Sequence, residues 1–312
     1  MNSTHGTTAD WSHKPERSNM LMLRTMTWIS LRLGRRAGRV VLHGIAAYFL
    51  LFAPASRAAS RDYLTRVLDR PLRWTDIYRH FFSFASTIHD RIYLLNQRFD
   101  LFQIDVHGEQ QMLDAIVEGQ GVFLMGAHMG SFEVIRALGR RHSELRIAMA
   151  MYEENARKIN QMLSAINPAA QQDVIGLGRI DSMLKVNERL NAGTMVGMLA
   201  DRTLNGDTMR AVALLGSQAN MPLGPFRMAA ILRRPVIFMV GLYLGGNRYE
   251  IHFERLADFS CIPKGERQIE MQRAMVRYAG LLEKYCRHAP YNWFNFFNFW
   301  SSAETKTESK ED

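Results

Sequence analysis

The chain has 312 residues, 47% of them hydrophobic and 22% charged, with 39 Lys and Arg against 30 Asp and Glu for a formal charge of +9. That composition excludes a disordered chain, a collagen-like fibre and a polytopic membrane protein, and the length allows one large α/β domain or two small ones. Two cysteines, Cys261 and Cys286, stand in no CxxC spacing, so no disulfide framework is possible and a reducing compartment is expected.

The charge is uneven. The first 100 residues hold 15 Lys/Arg against 7 Asp/Glu, while the remaining 212 hold 24 against 23. A basic region of this kind implies an anionic partner. After a polar lead over residues 1–20, a basic amphipathic or apolar helical region that associates with a membrane is expected over 21–100. Within it, VVLHGIAAYFLLFAPAS (40–56) runs 17 residues without a formal charge, framed by Arg35, Arg36 and Arg39 before it and by Arg57 and Arg61 after it. A membrane span wants about 20 apolar residues and at least about 17, and His43 and Pro54 shorten the useful part. The segment reads as one that dips into or lies on an anionic membrane surface, with its arginines at headgroup level. A minimal single span and a buried core helix are the competing readings.

Arg-Arg, an apolar run and Ala53-Pro54-Ala55 occur in the order of a signal peptide. The long polar lead and the late start, near residue 35, argue against cleavage. Residues 57–98 continue the helical, basic pattern, with apolar positions at Tyr63, Leu64, Val67 and Leu68 and then at Ile77, Phe81, Phe82 and Phe84. No zinc-finger spacing, helix-turn-helix signature or RNP-type strand occurs, so phospholipid is favoured over nucleic acid as the partner.

Over 101–300 an α/β domain is expected. Predicted strands are 121–127, 145–151, 194–200, 210–216, 235–244 and 249–253, and predicted helices are 131–141, 153–166, 179–192, 224–233 and 266–287. Fully apolar strands alternating with helices predict a central, mostly parallel sheet flanked by helices. The last residues, 301–312, read as a disordered polar tail.

Ligands of open α/β sheets sit beyond the carboxyl ends of the strands, which directs attention to two places. In GVFLMGAHMGSFEVIRALGRR an apolar strand ends at Ala127 and His128 follows at its tip. Gly130 and Ser131 look like a helix start, Ser131 as N-cap, and Glu133 falls in the first turn. On one continuous helix a spacing of five puts two side chains about 140° apart. With His128 in the turn before the helix, Glu133 can reach back to its ring, fix the tautomer and leave the other nitrogen as a general base. Backbone N–H groups at the helix start can also receive an oxyanion. A structural His and a dipole-favoured Glu are the bland alternative.

In TMVGMLADRTLNGD, Asp201 and Arg202 follow another apolar strand and reach the same sheet edge. Arg202 suits a phosphate or carboxylate, and Asp201 can orient a hydroxyl or pair with Arg202. An ordinary loop salt bridge is the alternative.

There is no GxSxG elbow, nucleotide-binding glycine motif or HExxH-type ligand spacing, so no cofactor and no metal are expected. Cys286 and His288 read as structural. The stretch YNWFNFFNFW (291–300) holds seven aromatics spaced only by asparagine. It fits the wall of an acyl-chain groove, a membrane interface or a packed terminal element.

His128, four residues and then Glu133, between an apolar strand and a helix, resembles the HX4D/E signature of the glycerolipid and lipid A acyltransferase superfamily. GTMVGMLADRTLNGD followed by NMPLGPFRMAAILRRPVIFMV, the closing APYNWFNFFNFW and the basic apolar N-terminus resemble the bacterial lipid A late acyltransferase branch, over roughly residues 24–300. The chain also looks like a subgroup associated with aryl-polyene or related pigment lipids. The resemblance implies an O-acyltransferase that moves a fatty acyl chain from an acyl carrier protein or CoA thioester to a hydroxyl of a lipid or glycolipid. It places the enzyme at the cytoplasmic face of the inner membrane, peripheral or single-span. By carry-over His128 is the general base and Glu133 orients it, with Gly130, Ser131, Asp201 and Arg202 as substrate-binding residues. Asp201-Arg202 stands where the lipid A branch more often shows two acidic residues, which leaves the acceptor open. Acceptors other than lipid A, such as a pigment or ornithine-type lipid, and a non-catalytic lipid-binding protein remain as alternatives.

Overall fold

The computed structural model describes residues 17–117, 121–137, 145–152, 166, 173–178, 181–202 and 207–300. The predicted helix 153–166, the 1–16 part of the polar lead and the tail 301–312 lie essentially outside them.

Three helices open the chain: α1 (Arg17–Phe52), α2 (Pro54–Val67) and α3 (Trp74–Leu95). Helix α1 is broken at Gly34, whose φ of 82° is a left-handed value that glycine adopts without strain. Beyond the break it lies against α3 so closely that a Cβ on Gly38 would run into the ring of His89. Ser30 of α1 bonds both that ring and, through its carbonyl, the hydroxyl of Tyr93, each at 2.9 Å. Pro54 begins α2, where its missing N–H costs nothing.

Strands β1 (Gln103–His107), β2 (Phe123–Gly126), β3 (Ile147–Tyr152), β4 (Asp173–Leu177), β5 (Met195–Leu199), β8 (Pro235–Tyr243) and β9 (Arg248–Asp258) form one sheet in the order β1-β9-β8-β2-β5-β3-β4. All neighbours are parallel except β8 and β9. Helices α4 (Glu109–Val117), α5 (Ser182–Asn191), α6 (Gly224–Leu232) and α7 (Arg267–His288) lie between and after the strands. One apolar layer packs Phe123, Met125 and Phe238 with α2, α6 and α7, and the other packs Leu124, Ile237 and Phe253 with α4 and the end of α3. The mixed α/β fold, with its mostly parallel sheet flanked by helices, is the one the sequence predicts.

Three differences have physical reasons. The predicted strand 210–216 exists as β6 (Met209–Leu214), but it pairs with β7 (Ser217–Pro222) in a separate hairpin closed by left-handed Leu215 and Gly216. Of the helix predicted over 131–141, the described part is a 3₁₀ turn over Phe132–Ala137, before which Ser131 donates its N–H to the Gly241 carbonyl. The headgroup role given to the framing arginines fails for three of them. Arg35 makes two 2.7 Å bonds to buried Asp90, Arg39 reaches Tyr243 at 2.9 Å, and Arg57 donates to the Leu50 carbonyl at 2.6 Å. Arg32, Arg36 and Arg61 stay exposed.

The uncharged segment 40–56 occupies the second half of α1 and the start of α2. Leu42 and Ala46 face inward, while Val40, Tyr48, Leu51 and Phe52 are 59–71% exposed, so this is no buried core helix. Among the described residues no single helix is long and apolar enough to cross a membrane; Arg32–Phe52 and Pro54–Val67 pass that test together, bent by 95°.

Candidate active site

Strands β2 and β5 are hydrogen-bonded in parallel, Gly126 opposite Leu199. The residues just beyond their carboxyl ends, His128 and Asp201, are therefore neighbours despite a separation of 73 in sequence. His128 Nδ1 lies 2.8 Å from Asp201 Oδ1, and the His128 backbone N–H donates to Oδ2 at 3.1 Å. Asp201 is fully buried, whereas the His128 side chain is 28% exposed. A carboxylate only accepts, so the neutral ring carries its proton on Nδ1 and presents an unshared pair on Nε2. Arg202 Nε donates to that Nε2 at 3.1 Å.

Burial by itself would raise the Asp201 carboxyl. The charge and hydrogen bond of His128, the charge of Arg202 and the indole N–H of Trp293 outweigh it and hold Asp201 well below the usual carboxylate range. Burial pushes the Arg202 guanidinium down, against the pull of Asp201.

The aromatic stretch 291–300 roofs this pair. Trp293 Nε1 donates to Asp201 Oδ2 at 3.0 Å and Asn295 Nδ2 approaches the same oxygen at 3.4 Å. Asn295 Oδ1 lies 3.4 Å from an Arg202 nitrogen, and the guanidinium stands 5.7 Å from the centre of the Phe297 ring. Asn292 pins the stretch by bonding both the N–H and the carbonyl of Tyr243, at 2.7 and 2.9 Å. Below, the Trp293 carbonyl accepts from buried His80 at 2.9 Å, whose other nitrogen meets Ser60 at 2.8 Å. The N-terminal helices thus support the roof directly. Of the three sequence readings of 291–300, packing of a terminal element is the one seen for Trp293. Its contact with Asp201 was not foreseen; the regular asparagines among the aromatics were the available signal, since buried amides need partners.

Glu133, expected to orient His128, has contacts with other residues. Its carboxylate pairs with Arg91 of α3 at 3.0 Å, and the Ser131 hydroxyl points to it at 3.4 Å. Ser131 is therefore a donor here, not an N-cap acceptor, and it is buried. Gly130 takes φ 60°, and a Cβ there would run into the Gly241 carbonyl oxygen. The backbone N–H groups from His128 to Ser131 are spent on Asp201, Ala127, Asn292 and Gly241 respectively. They cannot also receive an oxyanion, which leaves Arg202 as the donor nearest the ring. Gly130 and Ser131 shape the turn through these bonds.

The arrangement is a half-exposed imidazole with one nitrogen fixed by a buried carboxylate and the other facing a guanidinium. It suits removal of a proton from a hydroxyl and stabilisation of the negative charge that develops next to it. Residues 14–302 match the family model described as bacterial lipid A biosynthesis acyltransferase. No curated protein matches the chain.

Proposed function

The chain belongs to the bacterial lipid A biosynthesis acyltransferase family and is an acyltransferase that acts on lipid acceptors; from that premise we propose that His128 is its general base and that Asp201 orients it. The His128–Asp201 contact of 2.8 Å carries this reading. The acceptor hydroxyl gives its proton to Nε2 as its oxygen attacks the thioester carbonyl carbon of an acyl carrier protein or CoA donor. Arg202 swings its Nε–H from the ring to the oxyanion. On collapse the C–S bond breaks and Nε2 returns the proton to the departing thiolate, leaving an ester and a free thiol. Trp293 and Asn295 hold Asp201 ionised and in place. Glu133, paired with Arg91, fixes the turn that carries His128 to the N-terminal helices.

The outward face of α1 supports docking on the cytoplasmic leaflet of the inner membrane. Val40, Tyr48, Leu51 and Phe52 face solvent, and burying each in lipid gains about 1.5–3 kcal/mol. Exposed Arg32, Arg36 and Arg61 add attraction to anionic headgroups.

The test uses full-length protein with acyl carrier protein thioesters and a lipid extract, read by mass spectrometry. Native protein should produce a lipid heavier by one acyl chain, and His128→Ala should not. Glu133→Gln should retain more activity than Asp201→Asn; the opposite order would return the orienting role to Glu133. Transfer at the native rate by His128→Ala would end the proposed mechanism.

A further inference from the structure

At the edge of the sheet farthest from β4 lies a second group of imidazoles, which shares no residue with the acyl-transfer site. Strands β1 and β9 run parallel with His107 opposite His252 and Asp105 opposite Glu250. A strand's side chains alternate between faces, so Glu250 and His252, two apart, share the face covered by α7, and His107 joins them from the next strand. The rings of His107 and His252 stack with centroids 4.6 Å apart and planes 12° apart. His252 Nε2 lies 3.0 Å from Glu250 Oε2, and His288, at the end of α7, reaches the same oxygen at 3.0 Å.

We propose that His107, Glu250 and His252, with His288 beside them, bind a divalent first-row metal ion of the zinc type. One ligand atom from each of the first three lies within 4.8 Å of the others. Zinc takes nitrogen and carboxylate ligands at about 2.0–2.2 Å, which sets neighbouring ligand atoms about 3.4 Å apart. The ligand atoms would have to close this difference, and His107 is exposed. Three imidazoles around a single carboxylate are an imidazole-rich set, which suits Zn²⁺, Ni²⁺ or Cu²⁺ and not Mg²⁺ or Ca²⁺.

The surroundings fit this use. Tyr285 lies against His252 at 4.8 Å between ring centroids and gives its hydroxyl to Glu254. A bound ion would join β1, β9 and the end of α7, the helix from which the chain passes to Asn292 and Trp293. It would therefore be a structural clip near the root of the roof over Asp201.

The experiment uses full-length protein stripped with chelator and titrated with Zn²⁺, with Mg²⁺ as control. One equivalent of Zn²⁺ should bind and raise the melting temperature, and Mg²⁺ should do neither. The double variant His107→Asn/His252→Asn should bind at least tenfold more weakly, while His128→Ala should bind as native protein does. Native protein also gives a readout without mutation: Zn²⁺ should protect His107, His252 and His288, but not His43, from diethyl pyrocarbonate. Absence of stoichiometric binding, unchanged binding by the double variant, or protection confined to other histidines would each overturn the proposal.

Discussion

Asp90 and Asp201 are both aspartates without solvent exposure, yet their partners give them opposite uses. Asp90 accepts two 2.7 Å bonds from Arg35 and one of 2.9 Å from Tyr249, which locks α1, α3 and β9 together. Guanidinium cannot give up its proton in a protein, so this site is a fixed clamp. Asp201 accepts from an imidazole, an indole and an amide. The imidazole can gain and lose a proton, and its far nitrogen points outward. A buried carboxylate thus suits either a rivet, as at Asp90, or the orienting role proposed for Asp201, according to whether its main partner is a guanidinium or an imidazole.

That contrast breaks most sharply in the rates. Asp201→Asn should lower acyl transfer by about 10³–10⁴-fold, because an amide no longer enforces the Nδ1–H tautomer, with a soluble fold kept. Asp90→Asn should do the reverse. It leaves Arg35 without its counter-charge and should cost about 3 kcal/mol of stability, seen as a lower thermal midpoint, while activity per folded molecule stays near native. Equal losses of activity from the two substitutions would dissolve the distinction.

Smaller effects sharpen it. Arg202→Lys keeps the charge but not the fork that reaches both His128 and Asn295, and about a 10²-fold loss in kcat is expected. Trp293→Phe removes one donor to Asp201 and should cost about tenfold in kcat with little change in KM. His80 provides a pH test. Burial pushes its folded value down to about 4, against about 6.5 in the unfolded chain. The unfolded chain therefore binds more protons between these values. The contribution of His80 to stability is complete above about pH 6.5 and is lost as pH falls toward 4, with a ceiling of about 3 kcal/mol. In His80→Gln the slope of the thermal midpoint against pH across that interval should flatten.

The strands that position the site were legible because β2, β5 and β8 are apolar on both faces and so read as runs. β1 and β4 were not foreseen, since QIDVH at the sheet edge and DVIGL are too short and mixed to stand out, and β7 carries the polar sequence SQANMP. His128, Asp201 and Arg202 could be found from their places just past apolar strands. Which carboxylate serves His128 could not, because nearness in sequence favours Glu133 while the pairing of β2 with β5 delivers Asp201. The inward turn of Arg35, Arg39 and Arg57 depends on where α1 docks, and charge counting carries no information about that.

The roof over Asp201 has a consequence for the order of synthesis. His128 and Asp201 leave the ribosome long before Trp293 and Asn295, the residues that bury and hold the aspartate. Until the aromatic stretch arrives, Asp201 lacks the indole and amide donors that hold it in place. A nascent chain, or a fragment ending before residue 293, should therefore be inert toward thioesters. The pair proposed here as catalytic would be armed only once residues 293–295 have emerged, after helices α1–α3 have had time to find a bilayer.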